Sequence, residues 1–390
     1  MDDKAQKKKR RRPRGKPRIK RPKINSEKPD IIGKKPPPEP KVEKVNFKEF
    51  SLEDVPRGIH LNRRNRGKTR VLYLPLNARL GTQKATELAF IRSGFDLCVM
   101  DYLQINHPNR SLIRLVELFD PEWLHMQLQF TDIIKPETLK KIKEISPDLI
   151  ITNWTGDVRA EAKQEFVEIS QYTTKSYISS VGQLDLYREA GCKDVEYWQI
   201  GVDALKFRPL RENTRKKIQK KYRHDIVFCA NINPIFPGAQ LRGEVAEALT
   251  KKFLSRFKVY GTRAWKKYAV NYAGNVEHQR QNLVYNASKI VISINNFNDI
   301  YKYFSGRQLI AMATGSLVLS SYVPGLEEYF INKKHLVWFH TAEECVELAK
   351  YYIKHPKEAE QIGRNARKII VEQHTFDKRV EELAKRLGFK

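Results

Sequence analysis

"YFSGRQLIAMATGSLVLSSYVPGLEEYF", residues 303–330, reads as a short helix followed by a strand. Ser305 and Gln308 have the S-x-x-Q spacing of a capping box, which predicts a helix starting at Gly306 with Ser305 capping the amide of Gln308. Gly315 supplies the left-handed stop. The helix follows another apolar run, "KIVISIN" (289–295), so its N-terminus carries free amides and a partial positive charge at a strand end. Gly306 lets another group approach that end, and Arg307 adds a fixed cation with a bidentate fork. This is anion-binding equipment, and it suits a diphosphate. The alternative is a tight strand–helix junction whose small residues 311–316 serve packing alone.

Working outward, the same alternation recurs on both sides. Predicted strands are "RVLYLPL" (70–76), "FDLCVMDY" (95–102), "DLIITNW" (148–154), "KSYISS" (175–180) and "VEYWQIGV" (195–202). Helix-period segments such as "TQKATELAFIRSG", stopped by Gly94, fall between them. A charged stretch, "RENTRKKIQKKYRH" (211–224), precedes a second set: "DIVFCAN" (225–231), "FKVYG" (257–261), "KIVISIN", "SLVLSSY" (316–322) and "HLVWF" (335–339). This is an α/β pattern of two Rossmann-like, doubly wound parallel-sheet domains. Ligands bind at the carboxyl ends of such strands, so two facing sheets place a site in the cleft between them.

The 390 residues suffice for two cores, and 41% hydrophobic with 10% aromatic content is ordinary for globular protein. The net charge of +28 is not ordinary. Residues 1–70 hold 25 Lys/Arg against 9 Asp/Glu, or +16, leaving +12 for the other 320. The first 45 residues, with "KKKRRRPRGKPRIKRPK" and "KKPPPEPK", read as a disordered arm for nucleic acid or another polyanion, or as a solubilising tail. Four scattered cysteines lack CxxC spacing, and Cys98 and Cys229, in apolar strand-like runs, read as core residues of a reducing compartment. No run approaches the roughly 20 apolar residues of a membrane span. A cytoplasmic location is expected. There is no GxGxxG after a first strand, no GxxxxGK[ST], HExxH, GxSxG or Asp-x-Asp, which argues against dinucleotide, P-loop, zinc-peptidase and metal-diphosphate chemistry.

Further along, "YFSGR", "AMATG", "YVPGLEEYF", "KKHLVWF", "AEECVELAKYYIKHPKEAEQI" and "HTFDKR" occur in one order with "IGVDALKFRP" (200–209) and "TNWTGDVR" (152–159). On these motifs the chain, over residues 69–385, resembles the group 1 glycosyltransferases, in the branch related to the spore-maturation protein CgeB. The resemblance implies the GT-B fold and a nucleotide-sugar donor bound by the second domain without a catalytic metal. Ser305, Gly306 and Arg307 would lie near the donor phosphates. It also divides the chain: an arm and linker at 1–67, an acceptor domain at 68–206, a linker at 207–223, a donor domain at 224–375, and a helix at 376–390 that crosses back. Many relatives carry a ribose-binding glutamate where this chain has Ile310.

Other candidates each have two readings. Asp157, after "WTG", could orient or deprotonate an acceptor hydroxyl, or cap a helix starting near Arg159. His125 shares a face with Trp123 and Gln127 if 123–127 is a strand; it could bind a sugar at the cleft or sit satisfied and half-buried. Asp203 could contact ligand or stabilise the interdomain turn. Asn231 and Arg242 flank an expected phosphate loop, with Arg242 as a second phosphate cation. Gly261 and Trp265 follow the next strand, where Trp265 could stack on a base or belong to the core. Glu327 could pair with a helix N-terminus or replace the acid missing at Ile310. The expectation is a metal-independent glycosyltransferase with no cofactor beyond its donor, whose acceptor could be a nucleic acid. The competing expectation is a non-catalytic GT-B-like binding protein.

Overall fold

The computed structural model describes residues 58–77 and 81–389, so the basic segment before residue 58 lies outside the described residues. Twelve described strands form two sheets. The first contains β1 (Ile59–Asn62), β2 (Arg70–Leu74), β3 (Asp96–Met100), β4 (Trp123–Met126), β5 (Ile150–Thr155), β6 (Lys175–Ile178) and β7 (Val195–Tyr197). Its order is β1-β3-β2-β4-β5-β6-β7, parallel except for β1. The second contains β8 (Ile226–Cys229), β9 (Phe257–Tyr260), β10 (Ile290–Ser293), β11 (Leu317–Ser321) and β12 (Val337–Phe339), in the order β12-β11-β10-β8-β9, all parallel.

The helices between the first strands are α1 (Gly81–Arg92), α2 (Pro108–Phe119), α3 (Pro136–Ile145), α4 (Gln164–Ser170) and α5 (Leu184–Glu189). Then come α6 (Glu212–Tyr222), α7 (Gly238–Phe253), α8 (Gln281–Ala287) and α9 (Gly306–Ala313). Three helices, α10 (Ala342–Lys354), α11 (Pro356–Gln373) and α12 (Phe376–Arg386), close the chain.

The second sheet is buried on both faces, as continuous apolar runs require. Ile226 and Phe228 face one core with Val245 of α7 and Cys345 of α10, whereas Val227 and Cys229 face another with Leu309 of α9 and Ile370 of α11. The chain crosses between the sheets twice, and the crossings are joined. Val202 N donates to His374 O (3.1 Å) and Phe376 N to Val202 O (3.2 Å). Beyond that junction Val380 and Leu383 of α12 pack with Phe90 and Trp123 in the core of the first sheet, and Arg92 Nη2 pairs with Asp377 at 2.9 Å.

One expectation needs correction here. Residues 59–62, assigned to the arm and linker, form an edge strand antiparallel to β3, with Ile59 opposite Met100 and buried in the same core cluster. The linker expected at 207–223 is mostly helical, since α6 covers Glu212–Tyr222, none of whose residues is fully buried.

Each sheet has a topological switch point, between β2 and β4 in the first and between β8 and β10 in the second. The crevice outside the carboxyl ends of such strands is where ligands bind. At the second switch point α7 starts so close to the strand end that a Cβ on Gly238 would collide with the carbonyl oxygen of Asn295, and Gly238 N donates to Asn296 O at 2.8 Å. Gly238→Ala is expected to destabilise the protein by about 1–3 kcal/mol, the usual cost of overpacking. Urea denaturation of the two proteins measures it.

Candidate active site

At the first switch point the backbone runs straight on from β4 into Gln127, Leu128 and Gln129. Asn153 of β5 holds this extension: its Oδ1 accepts from Leu128 N (2.8 Å) and its Nδ2 donates to Leu128 O (3.0 Å). The clamp fixes the two glutamines on either side. Gln129 Nε2 donates to Thr155 Oγ1 (3.1 Å) and to Asp157 Oδ2 (3.2 Å), while Arg159 Nη2 donates to Gln129 Oε1 (3.0 Å). Asp157 therefore sits exposed at the mouth of the crevice, oriented by a side-chain network. It does not cap a helix, because α4 begins only at Gln164.

A cavity of about 230 Å³ opens over this strand end, lined by Gln83 of α1, Gln127, Gln129, Asp157, Ile200 and His278 among others. Three of its polar atoms are buried without a hydrogen-bond partner: Gln83 Oε1, Gln127 Nε2 and His278 Nε2. Leaving such atoms unsatisfied costs about 1–3 kcal/mol each, so their presence in an open recess points to a polar ligand. Burial, then the nearby charge of Lys206, pushes His278 down to about 4, so its ring is neutral at physiological pH.

At the second switch point α9 begins at Gly306, as its sequence predicts, and Gly315 has a φ of +75°. The capping box does not form. Gln308 N bonds the Ser305 backbone oxygen (3.0 Å), and the Gln308 side chain turns into the core to accept from Ser320 Oγ (3.0 Å). Ser305 Oγ is left buried without a partner. Asn295, fully buried just past β10, accepts from Ser305 N (2.9 Å) through Oδ1 and leaves its Nδ2 unsatisfied. These two atoms flank the start of α9.

Arg307 is half-buried and makes no hydrogen bond or ion pair with a described residue. Its charge is felt by Tyr303, Arg242, Cys229 and Tyr285. Tyr303 is the meeting point of the two halves. Burial first raises its hydroxyl, Arg307 and Arg242 draw it down, and Asp157 from the first sheet pushes it up. Val158, Phe297 and Tyr303 also pack in one apolar cluster. Arg307 stands outside the lining of the cavity described above, but its neighbour Gly306 abuts the cavity-lining Ile200.

Several expected site residues stand elsewhere. His125 is fully buried, caged by Tyr73, Phe90, Trp123 and Trp198, with Nδ1 2.9 Å from Thr152 Oγ1. Burial pushes it down to about 3, and no substrate reaches it. The strand face shared by Trp123, His125 and Gln127 is real, but only Gln127 lies far enough along to meet the crevice. Arg242 is not a free phosphate cation. Its guanidinium donates to Ile294 O (2.7 and 3.1 Å) and Asn231 O (2.9 Å), tying together the ends of β8 and β10. Burial and the neighbouring Arg307 pull it down to about 9. Trp265 is fully buried and donates to Ala230 O (2.6 Å) instead of offering a face to a base.

Gly261 allows the close approach of that same Ala230 carbonyl, and Asn231 Oδ1 accepts from Thr262 N (3.2 Å). Glu327 is exposed and accepts from the Tyr322 hydroxyl (3.2 Å). Ile310 lies in the apolar core behind α9. Asp203 caps its own turn, accepting from Leu205 N at 3.1 Å, and lies 3.8 Å from Arg92. Among the described residues no group of three or more His, Cys, Asp or Glu could hold a metal ion, and no helix is long and apolar enough to cross a membrane.

Comparison with known proteins bears on the fold. Residues 242–385 match the family model described as glycosyl transferase-like. Among solved structures, Anabaena Alr3699/HepE in complex with UDP-glucose is similar at 11% identity, covering 84% of this chain and 100% of that one, with a TM-score of 0.60. A glycosyltransferase from Rickettsia africae is similar at 14% identity over 82% and 98% of the two chains, with a TM-score of 0.59. Sucrose-phosphate synthase from Thermosynechococcus elongatus is similar at 11% identity over 82% and 99%, with a TM-score of 0.58. No curated protein matches the chain in sequence. The chain thus has the two-domain GT-B fold, and its second half carries a glycosyl transferase-like domain.

Proposed function

We propose that this protein is a cytoplasmic glycosyltransferase that moves a sugar from a nucleotide-sugar donor, of the UDP-sugar class, to an acceptor hydroxyl without a catalytic metal. One observation carries the reading. Arg307 is a cation without a partner among the described residues at the start of α9, beside the unsatisfied Ser305 Oγ and Asn295 Nδ2, at the switch point of the domain that matches the glycosyl transferase-like model. A fixed cation and helix amides in that place neutralise a leaving diphosphate as the glycosidic bond breaks. Arg242 contributes through the bond network that holds the loop, with its charge behind Arg307. Asp157, oriented by Gln129, takes the acceptor proton, and the polar cavity beside it holds the acceptor. The basic segment 1–45 favours a polyanionic acceptor such as a nucleic acid.

Ile310 favours a second reading, a non-catalytic binding module, because an aliphatic side chain in an apolar cluster cannot hold a ribose hydroxyl. A thermal-shift panel of UDP, UDP-glucose and other nucleotide sugars separates the two. At a hundredfold excess over Kd, a ligand of the native state adds about 2.7 kcal/mol. A panel that leaves the melting temperature unmoved overturns the donor reading.

A further inference from the structure

We infer that the end of the second sheet opposite the candidate active site is a docking surface for the phosphate backbone of duplex nucleic acid. Helices α6, α7 and α8 each run into the amino end of the next strand, so their last turns and the starts of β8, β9 and β10 share one end of the domain. Residues 211–223, "RENTRKKIQKKYR", hold seven Lys/Arg against one acid. Lys251 and Lys252 end α7. Arg256 and Lys289 meet there on Asp225, Lys289 at 2.9 Å, so one carboxylate answers two cations.

Lys289 also connects this cluster to a recess of about 530 Å³ between α6 and the α10–α11 junction, lined by Arg215, Lys216 and Gln219. The acids facing it are Glu212, which pairs with Lys216 at 2.7 Å, and Glu360. The half-buried stripe of α6 is Arg215, Ile218, Gln219 and Tyr222. A helix held only for packing would present apolar residues on that stripe. Here it mixes two polar side chains that border the recess with two apolar ones.

The form of this surface selects the partner. Cations without an exposed aromatic platform bind phosphates and do not read bases: Tyr222 is half-buried against His224. Stable attachment to a membrane needs apolar anchors beside the charge, and among the described residues the exposed large apolar side chains near this cluster are Leu254 and, at the α10–α11 junction, Tyr351, whose hydroxyl is tied to Glu358. A concave recess admits one phosphate strand projecting from a duplex and excludes a flat bilayer. The inference does not depend on the donor reading, since it concerns the other end of the domain.

The test uses the full chain with Lys216, Lys217, Lys220 and Lys221 all changed to Glu. These four side chains are exposed, so the fold is expected to hold, which circular dichroism and an unchanged melting temperature check. Affinity for labelled duplex DNA is measured against salt. The expected result is binding weakened at least about tenfold, with the salt slope reduced by about one unit for each phosphate no longer neutralised. An unchanged slope overturns the inference. So does a variant that keeps its affinity for DNA but loses binding to phosphatidylserine vesicles. Lys251→Glu with Lys252→Glu, made separately, is expected to weaken binding in the same direction; if the first variant fails to fold, this one decides.

Discussion

Arg307→Ala is expected to lower kcat for sugar transfer by about 10²–10³, the loss that follows when one preorganised electrostatic group is removed from a transition state. The fold is expected to be indifferent, because Arg307 bonds no described residue and stands only half-buried. A stability change within about 0.5 kcal/mol, as for an ordinary surface substitution, is the corresponding control. Removing this charge also relieves Arg242, which lies within its field. Arg307→Lys keeps the charge but loses the planar fork, so it is expected to retain part of the rate. Steady-state kinetics with a donor found by the thermal-shift panel makes the measurement. A variant with unchanged kcat moves the leaving group away from α9.

The second large effect is acid lability. His125 and His374 are buried at 0% and 2% exposure, and each is held down to about 3, His125 by burial and His374 by burial followed by the charge of Arg379. In the unfolded chain both return to about 6.5. Between these values the unfolded state binds more protons, so stability rises with pH through that window. It is complete above about pH 6.5 and is lost as the pH falls toward 3. At pH 5 each histidine is expected to cost about 2 kcal/mol, or about 4 kcal/mol together. Urea denaturation at pH 7.5 and pH 5 tests this, and His125→Gln is expected to reduce the difference by about 2 kcal/mol.

The location of the two rings gives the loss a structural meaning. Thr152 Oγ1 accepts from Trp123 Nε1 (2.7 Å) and is thereby free to donate to His125 Nδ1, which leaves Nε2 facing aromatic rings with no partner. A proton on Nδ1 would break that arrangement inside the first core. His374 Nδ1 accepts from Arg379 (3.0 Å), and its backbone oxygen receives Val202 N where the chain crosses between the domains. Protonating it sets two cations against each other at that junction. Acid is therefore expected to loosen the joint between the domains as well as the first core.

Much of the site was visible as position and little of it as role. The start of α9 at Gly306 could be read directly, since a serine cap position, a glycine and a closing glycine are local signals. Asn295 was also within reach, as the polar residue that ends an apolar strand run, and so was Gln127 by the same token. Gln83 and His278 gave no local signal. They matter because α1 and the segment before α8, far apart in sequence, border one cavity.

What the amino-acid order determined by itself is the succession of strands and helices, and with it the pair of parallel sheets. Alternating apolar runs with glycine stops are satisfied by burying the central strands on both faces. What the tertiary structure alone decided is how deep each polar side chain lies. Periodicity assigns His125 and Gln127 to the same face of β4 but cannot say that the first is enclosed by aromatic rings from distant segments while the second reaches the crevice. Likewise, the sequence contains Arg242 and Arg307 as equal cations. The fold commits one to the carbonyls of Asn231 and Ile294 and leaves the other without a partner among the described residues, because only the packed strand ends create the acceptors that a buried guanidinium requires.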